Sequence, residues 1–219
     1  MDENRLARRI ERGFAKMAEA AGGWAEFFRP QKGDGAFLPA CRLARRPALF
    51  LPPQGWRLPP GFGEASYAGY FARAGLGVGD TVQSAEGVFF LAALPPLAPA
   101  LCIRANGRFT LARARGGAGF GAGPYGGVVR PELAVLARDW AGHLRLGAPV
   151  TGPKASALPM EGRLATYTLL WPRHADVTPL PADLVFASAE TEGGARQFAV
   201  AGVVVEAEGV RLALREVMG

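Results

Sequence analysis

The sequence predicts a mainly β protein: two small β-barrel or sandwich lobes behind one amphipathic N-terminal helix. Three observations carry that expectation. Apolar residues recur with period two on both sides of a Gly-rich segment at 116–127, the mark of half-buried strands. Gly 30 and Pro 18 together exceed a fifth of the 219 residues, which favours frequent turns over long uninterrupted helices. A short succession also returns. Val78-Gly79-Asp80-Thr81-Val82 leads into a strand, a Glu-Gly turn and a Phe-rich strand, and Pro181-Ala182-Asp183-Leu184-Val185 opens the same order 103 positions later. Two lobes of one plan would explain that echo.

The helix comes first. Asp2 can cap it, and Leu6, Ile10, Phe14, Met17, Ala21, Trp24 and Phe28 recur at steps of three and four until Pro30 ends it. Arg5, Arg8, Arg9, Arg12 and Lys16 occupy the other faces, interrupted by Glu11, Glu19 and Glu26, which speaks against a membrane-surface role. From Gln31 to about Gly75 the chain reads as ordered loop. Pro47, Pro52-Pro53 and Pro59-Pro60 break it, and Phe37, Phe50, Trp56, Phe62, Tyr67, Tyr70 and Phe71 anchor it.

Strands follow at Thr81–Ser84 and Val88–Leu94, around the Ala85-Glu86-Gly87 turn. Leu101–Ala105 and Arg108–Ala114 flank Asn106-Gly107, a strong short hairpin signal. The Gly-rich segment reads as a flexible linker, since Pro124 and further glycines stand where a dinucleotide fold would open its helix. A short helix is expected at Pro131–His143, with Leu133, Leu136 and Trp140 on one face. Strands return at Leu164–Trp171, Asp183–Ala189, Gln197–Glu206 and Val210–Val217, the last with Val210, Leu212 and Leu214 inward. The expected division is a helical arm at 1–30, a first β-rich lobe with a long Pro-rich loop at 31–115, a linker at 116–130 and a second β-rich lobe at 131–219.

Few residues offer chemistry. Cys41 and Cys102 lie 61 positions apart without a CxxC partner, so neither a disulfide framework nor a cysteine zinc site is expected. His143 and His174 lack metal-ligand spacing. Asp80, Glu86, Asp139 and Glu161 form no acid–base pair, and Asp80 and Asp183, each before a strand, suit turn capping. No GxSxG, HExxH or Walker lysine pattern occurs, so neither catalytic, cofactor nor metal-binding residues are expected. The longest apolar run, Val88–Leu101, is broken by three prolines and falls short of the ~18 residues of a membrane span. With no hydrophobic stretch behind a charged start, synthesis in the cytoplasm is expected.

Charge is more informative. The net charge is +6, but residues 175–219 carry seven acidic against three basic groups while residues 1–46 carry ten basic against six acidic. A basic body attracts polyanions, and opposite ends suit head-to-tail contacts between copies. The helix supplies the candidate interaction residues: the apolar stripe Leu6, Ile10, Phe14 and Met17 beside Arg5, Arg8, Arg9 and Arg12. Aromatics among arginines, Phe27 and Phe28 by Arg29 and Phe109 by Arg108, offer base-stacking positions to a single-stranded nucleic-acid binder.

The helix ending in Phe28-Arg29-Pro30, the Val78-Gly79-Asp80 step, and Val88-Phe89-Phe90-Leu91-Ala92-Ala93-Leu94 followed by prolines give the first part of a resemblance. The Leu101–Asn106 strand, Leu169-Leu170-Trp171-Pro172, Ala182-Asp183-Leu184-Val185, Phe198-Ala199-Val200 and Val210-Arg211-Leu212 complete it. On these residues the chain resembles uncharacterised virion proteins of proteobacterial phages and prophages. Its C-terminal third resembles phage head–tail joining proteins, departing from them in Ala182 where they carry Gly and in Val210 where they carry an aromatic. The resemblance implies a non-enzymatic head–tail connector, neck or adjacent tail component working in a ring of the virion. Its implied partners are portal, connector or tail subunits and further copies, with packaged DNA met through arginines and no membrane. The alternative expectation is a single-stranded nucleic-acid-binding β-barrel protein.

Overall fold

The computed structural model describes residues 3–53, 65–115, 132–147, 167–192, 194–206 and 209–217. The expected Asp2 cap, the Trp56–Phe62 stretch, Glu161 and the 116–130 segment lie outside them. Among the described residues, helix α1 (Glu3–Ala21) precedes twelve strands. The first six are β1 (Gly23–Phe28), β2 (Arg42–Leu51), β3 (Ser66–Tyr70), β4 (Thr81–Ser84), β5 (Gly87–Ala93) and β6 (Ala100–Arg104). They close in the order β1-β2-β3-β6-β5-β4. The other six are β7 (Gly107–Ala114), β8 (Leu133–Leu146), β9 (Tyr167–Trp171), β10 (Leu184–Ala187), β11 (Arg196–Glu206) and β12 (Gly209–Glu216). They close in the order β7-β8-β9-β12-β11-β10. Both are antiparallel barrels with the fourth strand beside the first, a Greek-key connection.

Side chains fill each lumen. In the first barrel Phe27, Phe50, Phe71, Phe89, Leu91 and Cys102 are buried, with the Phe50 and Phe89 rings stacked at 4.0 Å. In the second, Trp140 and Trp171 stack at 5.7 Å among Phe109, Leu169 and Phe198. Barrels of six strands leave little more than room for such packing.

The two barrels are one plan used twice. In the first, the Arg29 Nε and Nη2 groups donate to the two oxygens of Asp80, each at 2.8 Å, and Arg113 grips Asp183 in the same way at 2.7 and 2.9 Å. The Gly77 and Leu180 amides donate to the same carboxylates, and the arginines also donate to the Gly75 and Thr178 carbonyls. The preceding residues, Gly79 and Ala182, take φ of 92° and 73° and donate to the carbonyls of Leu91 and Val200. Even the β-bulges coincide, at Phe27/Phe28 and Leu111/Ala112, and at Leu91/Ala93 and Val200/Gly202.

Several expectations change. The helix stops at Ala21 rather than Phe28, because Gly22 packs so closely on β2 that a Cβ would overlap the Ala48 carbonyl. Beyond it Ala25 and Phe27 face the lumen as alternate residues of β1, not one helical face. The region read as loop contains β2 and β3. Pro47 sits in β2 where that strand pairs with β1 alone, so its missing donor costs no ladder bond there. The helix expected at Pro131–His143 is strand β8. Asp139, at φ 51°, shifts the strand's phase, so Ala137 and Trp140 both reach the core at a spacing of three. That spacing imitates a helix.

The boundary between lobes also moves. Strands β6 and β7 do not form a hairpin but belong to different barrels, so the joint lies at Ala105-Asn106 and the 116–130 segment falls between two strands of the second barrel. Asn106 fixes the joint: its amide donates to the Leu144 carbonyl at 2.6 Å and accepts from the Leu144 N–H at 2.8 Å. The loop after β1 crosses to the second barrel. Gly33 donates to Leu136, Trp140 donates to the Asp34 carbonyl, and Ala36 is buried in the second core. Between the barrels Phe90, Ala92, Leu101 and Ile103 on the outside of β5 and β6 enclose Leu170 on the outside of β9. The two barrels are thus packed face to face, not hinged across a Gly-rich linker.

Candidate functional site

Helix α1 lies along the outside of β2 and β3 of its own barrel. Its inward row is Leu6, Ile10, Phe14 and Ala18, steps of four that place one residue per turn on the sheet. Only Ala18 of these is fully buried. The Phe14 ring meets Tyr70 edge-on at 5.4 Å, and the Arg73 guanidinium lies 5.1 Å from the Phe14 ring centre. Arg73 ties this contact to the proline-rich turn after β5, donating to the carbonyls of Pro95 and Ala98, and its N–H donates to Glu11 at 3.3 Å. Burial lowers the Arg73 pKa, with Glu11 opposing that shift.

The predicted interaction residues therefore divide. Leu6, Ile10 and Phe14 turn toward the protein's own barrel, whereas Met17, 43% exposed, stays outside that contact. Arg5, Arg8, Arg9 and Arg12 are all exposed, and Arg5, Arg9, Arg12 and Lys16 border one shallow basic cleft. The helix is an intramolecular element with a basic outer face.

The aromatics considered for base stacking are elsewhere: Phe27, Phe28 and Phe109 are buried. Among the described residues the exposed large aromatic is Trp24, 63% accessible, with Arg45 across its ring at 5.4 Å. Apolar spacing assigns Trp24 to the helix face, whereas the structure places it in β1. Its position after two glycines is the available sign of a new element.

The titratable groups are occupied with structure. Asp80 and Asp183 cap their turns and hold arginines, and those bonds raise the pKa of Arg29 and Arg113 against the cost of burial. Cys41 and Cys102 are buried thiols, and burial raises both pKa values and disfavours the nucleophilic thiolate. His143 accompanies the joint, its Nδ1 2.8 Å from the Arg104 carbonyl and donating to it as the N–H tautomer. Burial pushes its pKa down; that bond and Glu192 oppose the shift, and Arg145 adds to it. His174 packs edge-on against Trp140 at 5.2 Å. Among the described residues no group of three His, Cys, Asp or Glu side chains converges, and no helix is long and apolar enough to cross a membrane.

Comparison with protein-family models, curated proteins and solved structures finds no match to this chain.

Proposed function

We propose that this chain is a non-enzymatic structural subunit of a phage or phage-derived particle, a head–tail connector, neck or adjacent tail component acting in a ring. The observation that carries the reading is the seam at Leu170, where a strand face of one barrel is devoted to binding a second barrel of the same plan. Sheet faces with that property suit walls built from repeated barrels. Its partners would be portal, connector or tail subunits and further copies, met in the virion after synthesis in the host cytoplasm. The commitment of both buried carboxylates to turns and arginines agrees with a structural role.

Immunogold electron microscopy of purified particles tests this, with quantitative mass spectrometry of the same preparation. Label at one vertex or along the neck, at a fixed copy number, is expected. A chain absent from particles that are otherwise complete refutes it.

The second reading, single-stranded nucleic-acid binding, rests on the exposed basic face of α1 and on Trp24 beside Arg45. Such a site would bind labelled oligothymidylate with strong salt dependence. Anisotropy that stays flat at low salt removes this reading.

A further inference from the structure

The repeated plan allows residues of the two barrels to be matched strand by strand. Cys102 stands opposite Tyr67 and Leu214 opposite Tyr167, so Tyr70 of β3 corresponds to Leu170 of β9. Their neighbours correspond as well: Leu49 faces Tyr70 as His143 faces Leu170. On the second barrel this position is where the first barrel docks, with Leu170 fully buried under Phe90 and Ile103. On the first barrel it is where Phe14 of α1 docks. The helix occupies, on barrel one, the place that barrel one occupies on barrel two.

We propose that the outer face of β2 and β3 is a docking site for the second barrel of another copy, and that α1 is a built-in competitor covering it before assembly. The inference rests on the ring reading and names the contact that would build the ring. The matching face of the second barrel follows from the same register. Phe90 and Ala92 correspond to Ala199 and Ala201 on β11 and Ile103 to the exposed Arg215 on β12, whereas Ala213, which matches Leu101, is already buried in its own chain. Ala199 and Ala201 are half-buried, and such small side chains leave space for bulky receivers such as Leu49 and Tyr70. In the seam inside the chain the bulk lies on the presenting side instead.

The helix is suited to release. Of its inward row only Ala18 is fully buried, and Gly22-Gly23 separates it from β1. A contact between barrel two of one copy and barrel one of the next is heterologous, and repeated it closes a ring or extends a filament.

Light scattering after gel filtration of the full-length chain tests the proposal. The wild type is expected as a monomer. Ile10→Ala with Phe14→Ala, which loosens α1 without removing it, is expected at least to double the molar mass at the same concentration. Adding Ala201→Arg or Tyr70→Arg should return the monomer. A loosened variant that keeps its β-sheet circular dichroism yet stays monomeric overturns the proposal, as does association indifferent to Ala201→Arg. A wild type that already associates with α1 in place overturns the competitor role. If the double variant unfolds, Phe14→Ser alone is measured, and a folded monomer there overturns the proposal equally. Label in particles together with a monomeric loosened variant would end this inference and leave the ring reading standing.

Discussion

Replacing Arg113 by Gln tests how the second barrel is held together. Asp183 is 2% exposed and receives two guanidinium bonds, at 2.7 and 2.9 Å, and the Leu180 amide at 2.8 Å. Arg113→Gln removes the charge partner and leaves a buried carboxylate with one backbone donor. Breaking a fully buried pair costs about 3–5 kcal/mol. The Arg113 side chain is 38% exposed, so water screens part of that, and about 2–3 kcal/mol is expected. Asp183→Asn in the same chain removes the stranded charge and keeps an acceptor for Leu180, so the double variant should lose only about 1 kcal/mol, the scale of a neutral hydrogen bond. Urea unfolding read by Trp fluorescence is the assay, since Trp140 and Trp171 are buried in this barrel. With a slope of about 2 kcal/mol per molar, the single variant should lower the midpoint by about 1–1.5 M and the double variant by about 0.5 M. A single variant within about 0.5 M of wild type, or a double variant no better than the single, would refute the argument that a buried charge is being compensated.

Ala182 and Gly79 share one backbone role at φ 73° and 92°, and opposite exchanges should have opposite signs. Ala182→Gly relieves a left-handed Ala and is expected to raise stability by up to about 1 kcal/mol. Gly79→Ala adds a Cβ that would overlap the Arg173 carbonyl and should cost about 2–4 kcal/mol, both read by thermal melts. His143 has a folded pKa pushed below the ordinary imidazole value, so the unfolded chain binds its proton first. Its stabilisation is therefore present above about pH 6.5 and is lost as pH falls below that value, more gently than the one-proton limit of about 1.4 kcal/mol per pH unit. His143→Gln should flatten that dependence, and an unchanged profile would show that another group titrates.

Side-chain pattern alone was enough for the β class, the N-terminal helix, the strands from Thr81 to Ala114, which read as short apolar runs bounded by turn residues, and the closing hairpin at Gln197–Glu216, where Gln197 to Ala201 alternate between the lumen and the outside. It also held the duplication, since the Asp80 and Asp183 turns demand the same short, small-residue step before a strand. Their arginine partners were hidden: Arg29 and Arg113 are 84 positions apart while the aspartates are 103 apart, so no single offset aligns both. The docking row of α1 was legible as an apolar stripe, but a stripe does not name its acceptor. Tyr70, which receives Phe14, and its strand partner Leu49 lay in a stretch whose prolines masked two strands. Long-range packing set the rest. Phe89 to Ala92 are buried on both faces because the lumen takes one side and the second barrel the other, which erases the alternation a lone sheet would show. Strand β8 carries a helical spacing because one left-handed residue, Asp139, rephases it, and its partners β7 and β9 hold a segment rich in the helix formers Leu and Ala extended. The joint fell at Asn106 and not in the glycines because a side-chain amide there completes a backbone pair on β8, a bond between residues 38 positions apart that no local pattern announces.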